Sequence, residues 1–133
     1  MSVPDFVAHR VVAFSETDAA GIVHFSNFLR YAEDAEHAWL RSLGVALHGE
    51  GALGLPRVEV ACTYRRPLRF GDEVEVALTV QERRRRSLRY RFEVRRGGEV
   101  AAEGAVTVVA TRVGGDGVLE AVPLPEALRG GRG

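Results

Sequence analysis

Residues 14–44, FSETDAAGIVHFSNFLRYAEDAEHAWLRSLG, decide how the rest of the chain is arranged. The stretch reads as a polar loop with one acid, Asp18, then an aliphatic hinge, Ile22-Val23, then a helix of about four or five turns. Apolar residues recur at Phe25, Phe28/Leu29, Ala32, Ala35, Trp39 and Leu43, a three-and-four spacing that lines one helix face. Ala32 and Ala35 are small enough to let a sheet come close. Ser26 or Asn27 is expected to cap the first turn, and Gly44 to end the helix. Glu36 falls on the same face as Leu29 and Ala32, an unusual place for a carboxylate, and is expected to reach across a subunit interface or act as a second site acid. The pattern therefore sets an acid beside a helix N-terminus, where free N–H groups and the helix dipole favour negative charge.

That juxtaposition has chemical content. A carboxylate can attack a carbonyl or activate water, and the Phe25 N–H can hold the oxyanion that forms. Spacing alone favours a simpler role for Asp18, stabilising a turn or capping the helix.

Beyond the helix the pattern changes to strands. Residues from about Val3 to Phe14 are apolar with a rough period of two and read as a first strand, with His9 on its surface; residues 45–56 are glycine-rich and read as a loop, in which Leu53 and Leu55 could line a pocket. Val58, Val60, Cys62 and Tyr64 alternate with polar or small neighbours, as do Val74, Val76, Leu78 and Val80, and then Leu88, Tyr90, Phe92 and Val94. Gly71-Asp72 and Gly97-Gly98 are turn pairs, and Val100 to Val113 reads as one long strand in which Gly104 marks a bend or bulge. Sequential hairpins imply antiparallel pairing, so the fold class is α+β: a sheet of about five strands wrapped around one long central helix. The chain is read as one domain, 1–133, with a loose tail from about residue 114 and a single turn near Pro125–Leu128.

Composition narrows the function classes. The 18 basic and 18 acidic residues cancel, so no general polyanion-binding field is expected. Cys62 is the one cysteine, which leaves no disulfide framework or cysteine zinc cluster and makes it a small buried filler. Neither a signal peptide nor a membrane span is evident, so a cytoplasmic protein with no membrane partner is expected. Arg83–Arg86 suggest nucleic acid, but in an extended hairpin successive side chains point to opposite faces; a solvated hairpin tip is the simpler reading, and no nucleic-acid partner is expected.

TDAAGIVHFSNFLRYAEDA (17–35) resembles the signature of the 4-hydroxybenzoyl-CoA thioesterase family of hotdog folds. TYRRPLRFGDEVEV (63–76) and QERRRRSLRYRFEV (81–94) are similar to that family's later strands and hairpin, so the resemblance spans roughly residues 10–110. It implies a hotdog fold and hydrolysis of an acyl-CoA thioester. Asp18 falls on the family's catalytic acid, as nucleophile or general base, and Phe25 on the position whose backbone N–H polarises the thioester carbonyl. Gly21, Ile22 and Val23 fall on its loop, and Glu33 where many members carry a helix acid. By position, His24 could line the pocket or touch the substrate, and Thr63 could be a hydrogen-bonding wall of it or a plain strand filler; members with a catalytic histidine carry it where this chain has Phe25, which shifts weight onto Asp18. The equivalent hairpin contacts coenzyme A phosphates, which makes Arg84, Arg85, Arg86 and Ser87 candidates for the nucleotide end. No cofactor beyond the coenzyme A of the substrate is implied, and no metal. Self-association as a dimer or tetramer, with the site between subunits, is expected. Alternatives are an acyl-CoA-binding or regulatory hotdog without turnover, a thioesterase acting on acyl carrier protein, and a hotdog dehydratase, for which no Asp-His pair stands at that family's spacing.

Overall fold

The computed structural model describes residues 3–130. Helix α1 (Ser26–Ser42) lies against a five-stranded antiparallel sheet of order β1-β3-β4-β5-β2, formed by β1 (Phe6–Val11), β2 (Arg57–Tyr64), β3 (Glu73–Arg83), β4 (Ser87–Arg96) and β5 (Glu99–Val109). The expected α+β architecture is present, and period-two patterning explains it most cleanly in β4. Leu88, Tyr90, Phe92 and Val94 are buried toward the helix while the intervening residues are partly open. Phe28, Ala32, Ala35, Trp39 and Leu40 meet them from α1. Burying such side chains contributes roughly 1.5–3 kcal/mol each for the larger ones, which is what holds one helix on one sheet.

The helix ends as expected and begins differently. At the C-terminus Gly44 (φ 77°) donates to Arg41 O and Val45 donates to Leu40 O, the paired bonds of a Schellman cap. At the N-terminus neither Ser26 nor Asn27 caps. The Ser26 N–H reaches Nδ1 of His24 at 3.3 Å, and the Asn27 amide instead donates to the carbonyl of Glu16.

Several strand expectations need correction. The first strand stops at Val11, because Val12 N–H turns to Asp72 O and Phe14–Glu16 form a 3-10 turn. The long strand breaks after Ala110: the Ala110 N–H still reaches Arg86 O in register, but its carbonyl accepts from Val122 N–H, Thr111 N–H turns to Gly54 O, and Thr111–Val113 becomes a separate strand, β6. Gly104 is no bulge. It stays in register opposite Cys62 and Phe92, and a Cβ there would lie 1.9 Å from the Ala61 carbonyl oxygen and 2.9 Å from the Phe92 ring. Only a residue without a side chain permits that approach.

The tail is not loose. β7 (Leu119–Ala121) pairs with β6, and Leu124 and Leu128, each 1% exposed, close the core beneath the Glu126–Leu128 turn. Leu124 N–H reaches Arg85 O, which staples the segment to the β3–β4 hairpin. The last expected tail residues, 131–133, lie outside the described residues. Leu53 belongs to the core rather than to a pocket wall, with Leu55 packed beside it. Strand β2 behaves unlike the others: its apolar row stands open, with Val58 at 61% and Tyr64 at 46% exposure, on the edge of the sheet.

Candidate active site

The loop between β1 and α1 is a small hairpin. Thr17 bridges Val23, Asp18 N–H donates to Ile22 O at 2.9 Å, and His24 N–H donates to Glu16 O at 2.9 Å. Its tip is the four-residue turn Asp18–Gly21, closed by Gly21 N–H to Asp18 O, with Ala20 N–H bonded to Asp18 Oδ1 at 2.8 Å. Gly21 has φ 82°, a conformation that a side chain would strain. The local turn role suggested for Asp18 by spacing is therefore real. Asp18 itself is exposed in a single chain, and its Oδ2 has no hydrogen-bond partner among the described residues.

The returning arm of this hairpin leads into the helix start. Val23 is buried and anchors the returning arm through its N–H to Leu68 O. Phe25 follows one residue after the ladder ends, and its backbone N–H has no partner among the described residues. The Phe25 ring is exposed, lies against the His24 ring at 4.5 Å, and meets Tyr64 edge-on at 6.4 Å. Tyr64 Oη donates to the Phe25 carbonyl at 3.2 Å. Asp18, Gly21, Ile22, Val23 and His24 thus belong to one hairpin whose returning arm ends at the Phe25 amide. His24 Nδ1 is committed to Ser26, both to its Oγ at 2.8 Å and to its N–H.

Thr63 is not brought to this place. Tyr64 faces the helix start, so with period two Thr63 points to the opposite side of the sheet, opposite Glu103. Tyr64 is the β2 residue that borders the site, and its place beside the expected strand wall was the available signal.

Two carboxylates brace the helix on its two flanks. Glu16 Oε1 accepts from Ala13 N–H and from Tyr31 Oη, both at 2.8 Å, and Oε2 accepts from Arg10 at 2.7 Å. Arg10 also bonds Asp34 at 2.9 Å and lies 4.1 Å over the Tyr31 ring. Burial, reinforced by the Glu16 hydrogen bond, holds the Tyr31 phenol well above its ordinary range. On the other flank Glu36 is 1% exposed and takes a bidentate pair from Arg57 at 2.9 and 3.0 Å and a hydroxyl from Tyr90 at 2.5 Å. Burial and then the Glu36 charge raise Tyr90 likewise. The expectation that Glu36 reaches a neighbouring subunit is thus corrected: its partners lie in its own chain, because α1 packs on β4, where Tyr90 faces inward, and the Arg57 side chain reaches it from edge strand β2.

Beside Arg57 a cavity of about 210 Å³ is lined by Leu29, Arg30, Glu33, Val60, Tyr90 and Val106. It begins one helical turn beyond Phe25 and is apolar on the Leu29, Val60 and Val106 side. Glu33 faces it with Arg57 at 3.6 Å.

The arginine hairpin lies elsewhere. Arg84 N–H donates to Ser87 O to close the turn, and Arg84 pairs with Glu82 at 3.2 Å. A cavity of about 470 Å³ is lined by Arg83, Arg84, Arg85, Arg129 and Pro123. Arg86 and Ser87 are not among its lining residues; Arg129, supplied by the tail, was invisible to hairpin-based reading. The 11 residues of β3 separate this tip from the Asp18 end of the sheet, about 33 Å along the strand. Cys62 is half-buried, and burial pushes its thiol up, away from a reactive thiolate. Among the described residues no group of three His, Cys, Asp or Glu is placed to hold a metal, and no helix is long and apolar enough to cross a membrane.

One helix on an antiparallel sheet of this order, with an acid-bearing hairpin at the helix start, defines a hotdog domain. The chain matches the thioesterase-like superfamily over residues 12–130 and belongs to it. It is 43% identical over 79 residues to a protein of Aquifex aeolicus, covering 58% of this chain and 62% of that one. It is 36% identical over 78 residues to the 1,4-dihydroxy-2-naphthoyl-CoA hydrolase of Synechococcus elongatus, covering 56% and 57%. The chain thus spans about six tenths of the length of these curated relatives. Among solved structures, a gentisyl-coenzyme A thioesterase superposes with TM-score 0.79 at 30% identity, covering 92% of this chain and 95% of that one. The Dynemicin thioesterase does so with TM-score 0.85 at 28% identity, covering 93% and 92%.

Proposed function

We propose that the protein hydrolyses a small acyl-CoA thioester to the free acid and coenzyme A. The observation that carries this reading is the hairpin that joins Asp18 to a helix start where the Phe25 N–H has no partner among the described residues. A thioester carbonyl received by that N–H would be polarised by it and by the helix dipole. Asp18 then either attacks the carbonyl carbon, expelling the thiolate and leaving an acyl-enzyme anhydride for water to open, or takes a proton from an attacking water. Both routes use the oxygen that the turn leaves free.

The acyl group is taken to be small. A cavity of about 150 Å³ holds benzene, so the space of about 210 Å³ beside Leu29 and Val60 suits one substituted ring or a short chain. The names of relatives that act on 1,4-dihydroxy-2-naphthoyl-CoA and gentisyl-CoA support an aromatic acyl group more broadly than the 4-hydroxybenzoyl group alone.

We further propose a homodimer or homotetramer. The open β2 edge with its exposed Val58, Val60 and Tyr64 is one reason, since uncovered strand edges invite pairing. The other is that Asp18 and the arginines stand at opposite ends of the sheet. If Arg84, Arg85, Arg86 and Ser87, together with Arg83 and Arg129, receive coenzyme A phosphates, they do so for a site on another copy. An activity of this kind fits a cytoplasmic enzyme. Thiol release from a panel of aromatic and short aliphatic acyl-CoAs tests the reading: turnover of at least one, lost in Asp18→Ala, is expected, and equal rates in wild type and variant would remove it.

A further inference from the structure

We propose that Glu16 is the positioning residue of this site, the group that fixes how far the Asp18 carboxylate stands from the Phe25 amide; this rests on the thioesterase reading. Glu16 uses its main chain and its side chain on the same task. Its carbonyl oxygen accepts from His24 N–H at 2.9 Å and from Asn27 Nδ2 at 2.9 Å, the residues on either side of the Phe25–Ser26 step. Its carboxylate accepts the Tyr31 hydroxyl at 2.8 Å. Asn27 and Tyr31 are four apart and share a helix face, and Asp34, one turn further, joins through Arg10.

The consequence is geometric. Asp18 lies two residues after Glu16 on one arm of the hairpin, and Phe25 one residue after His24 on the other. Both therefore follow directly from residues bonded at Glu16, whereas Asp18 itself makes only bonds internal to its hairpin. Ala13 N–H on Oε1 fixes the carboxylate from the strand side, so the side chain cannot swing when the loop moves. A turn held only by its own hydrogen bonds would be free to rock relative to the helix; Val23 N–H to Leu68 O ties the returning arm to the frame, and Glu16 ties the hairpin base to the helix. A displacement near 1 Å at reacting groups can cost on the order of 10²-fold in rate.

Steady-state hydrolysis by Glu16→Ala, Glu16→Gln and Asp18→Ala, with thermal unfolding of each, is the test. In Glu16→Ala kcat is expected to fall on the order of 10²-fold while KM stays within about twofold. Glu16→Gln, which keeps a neutral acceptor for Tyr31 and Ala13, recovers part of that loss. If Glu16→Ala does not fold, Tyr31→Phe and Asn27→Ala loosen the same clamp from the helix side and are expected to lower kcat without raising KM. Folded Glu16 or helix-side variants with wild-type kcat, alongside an inactive Asp18→Ala, would overturn the positioning role and leave the thioesterase reading intact. An Asp18→Ala enzyme as fast as wild type would overturn both.

Discussion

Glu16 and Glu36 are built from the same parts and sit on opposite flanks of the helix. Each carboxylate holds one arginine and one tyrosine hydroxyl: Arg10 and Tyr31 for Glu16, Arg57 and Tyr90 for Glu36. They differ in what they join. Glu36 is sealed, with its side chain 2% exposed, and ties α1 to β2 and β4, three elements of the rigid frame. Glu16 is 18% exposed and ties the frame to a loop. A sealed carboxylate with all its bonds made holds the fold together, and its loss removes the main partner of Arg57 and the acceptor of a buried tyrosine hydroxyl. A half-open one at a loop base controls geometry, so its loss registers in rate more than in stability.

That contrast can be broken by substitution. Glu36→Ala leaves Arg57 with only Leu55 O and the more distant Glu33, and the Tyr90 hydroxyl without its acceptor, and is expected to cost about 3 kcal/mol, read as a shift of the urea midpoint. Glu16→Ala should cost far less in the same titration. Equal losses would show that both carboxylates are scaffold. Tyr90→Phe removes a hydroxyl bonded to a buried carboxylate and is expected to cost roughly 1.5–3 kcal/mol, with Tyr31→Phe at about 1 kcal/mol because Glu16 is reached by water.

Alkaline titration sharpens the same comparison. Both Tyr31 and Tyr90 have phenols raised above the ordinary value of 10.0. A raised group keeps its proton in the native state while the unfolded chain loses it, so their contribution is full below about pH 10 and declines above it. Urea midpoints are therefore expected to fall between pH 9 and pH 11, with tyrosinate absorbance from these two residues appearing only on unfolding. Absorbance that rises before unfolding would mean that one clamp is open in the native state.

Much of the fold was legible because burial and period coincide. The β4 row Leu88, Tyr90, Phe92 and Val94 is buried as its alternation requires, and the helix face of α1 follows its three-and-four spacing. What escaped depends on contacts between distant segments. Glu36 reads as an interface or second site acid because no local rule announces Arg57, 21 positions away, or Tyr90, 54 away. The tail reads as polar and glycine-rich, yet two leucines, Leu124 and Leu128, suffice to dock it. Thr63 and Tyr64 differ by one position, and a one-residue choice on a strand exchanges the two faces. Glu16 carried no signal beyond its place two residues before an acid, since its role comes from residues of the helix that meet it only after folding. Asp18 was legible both ways, as a turn residue from its spacing and as a catalytic acid from its resemblance, and only chemistry separates them.

Asp18→Asn makes that separation, because an asparagine oxygen can still accept Ala20 N–H and keep the turn while the charge is gone. With an acyl-CoA that the wild type hydrolyses, kcat is predicted to fall by about 10²–10⁴-fold with unchanged thermal midpoint and unchanged affinity for a non-hydrolysable thioester analogue. An Asp18→Asn protein that releases thiol at the wild-type rate would contradict the account, leaving residue 18 a turn former and nothing more.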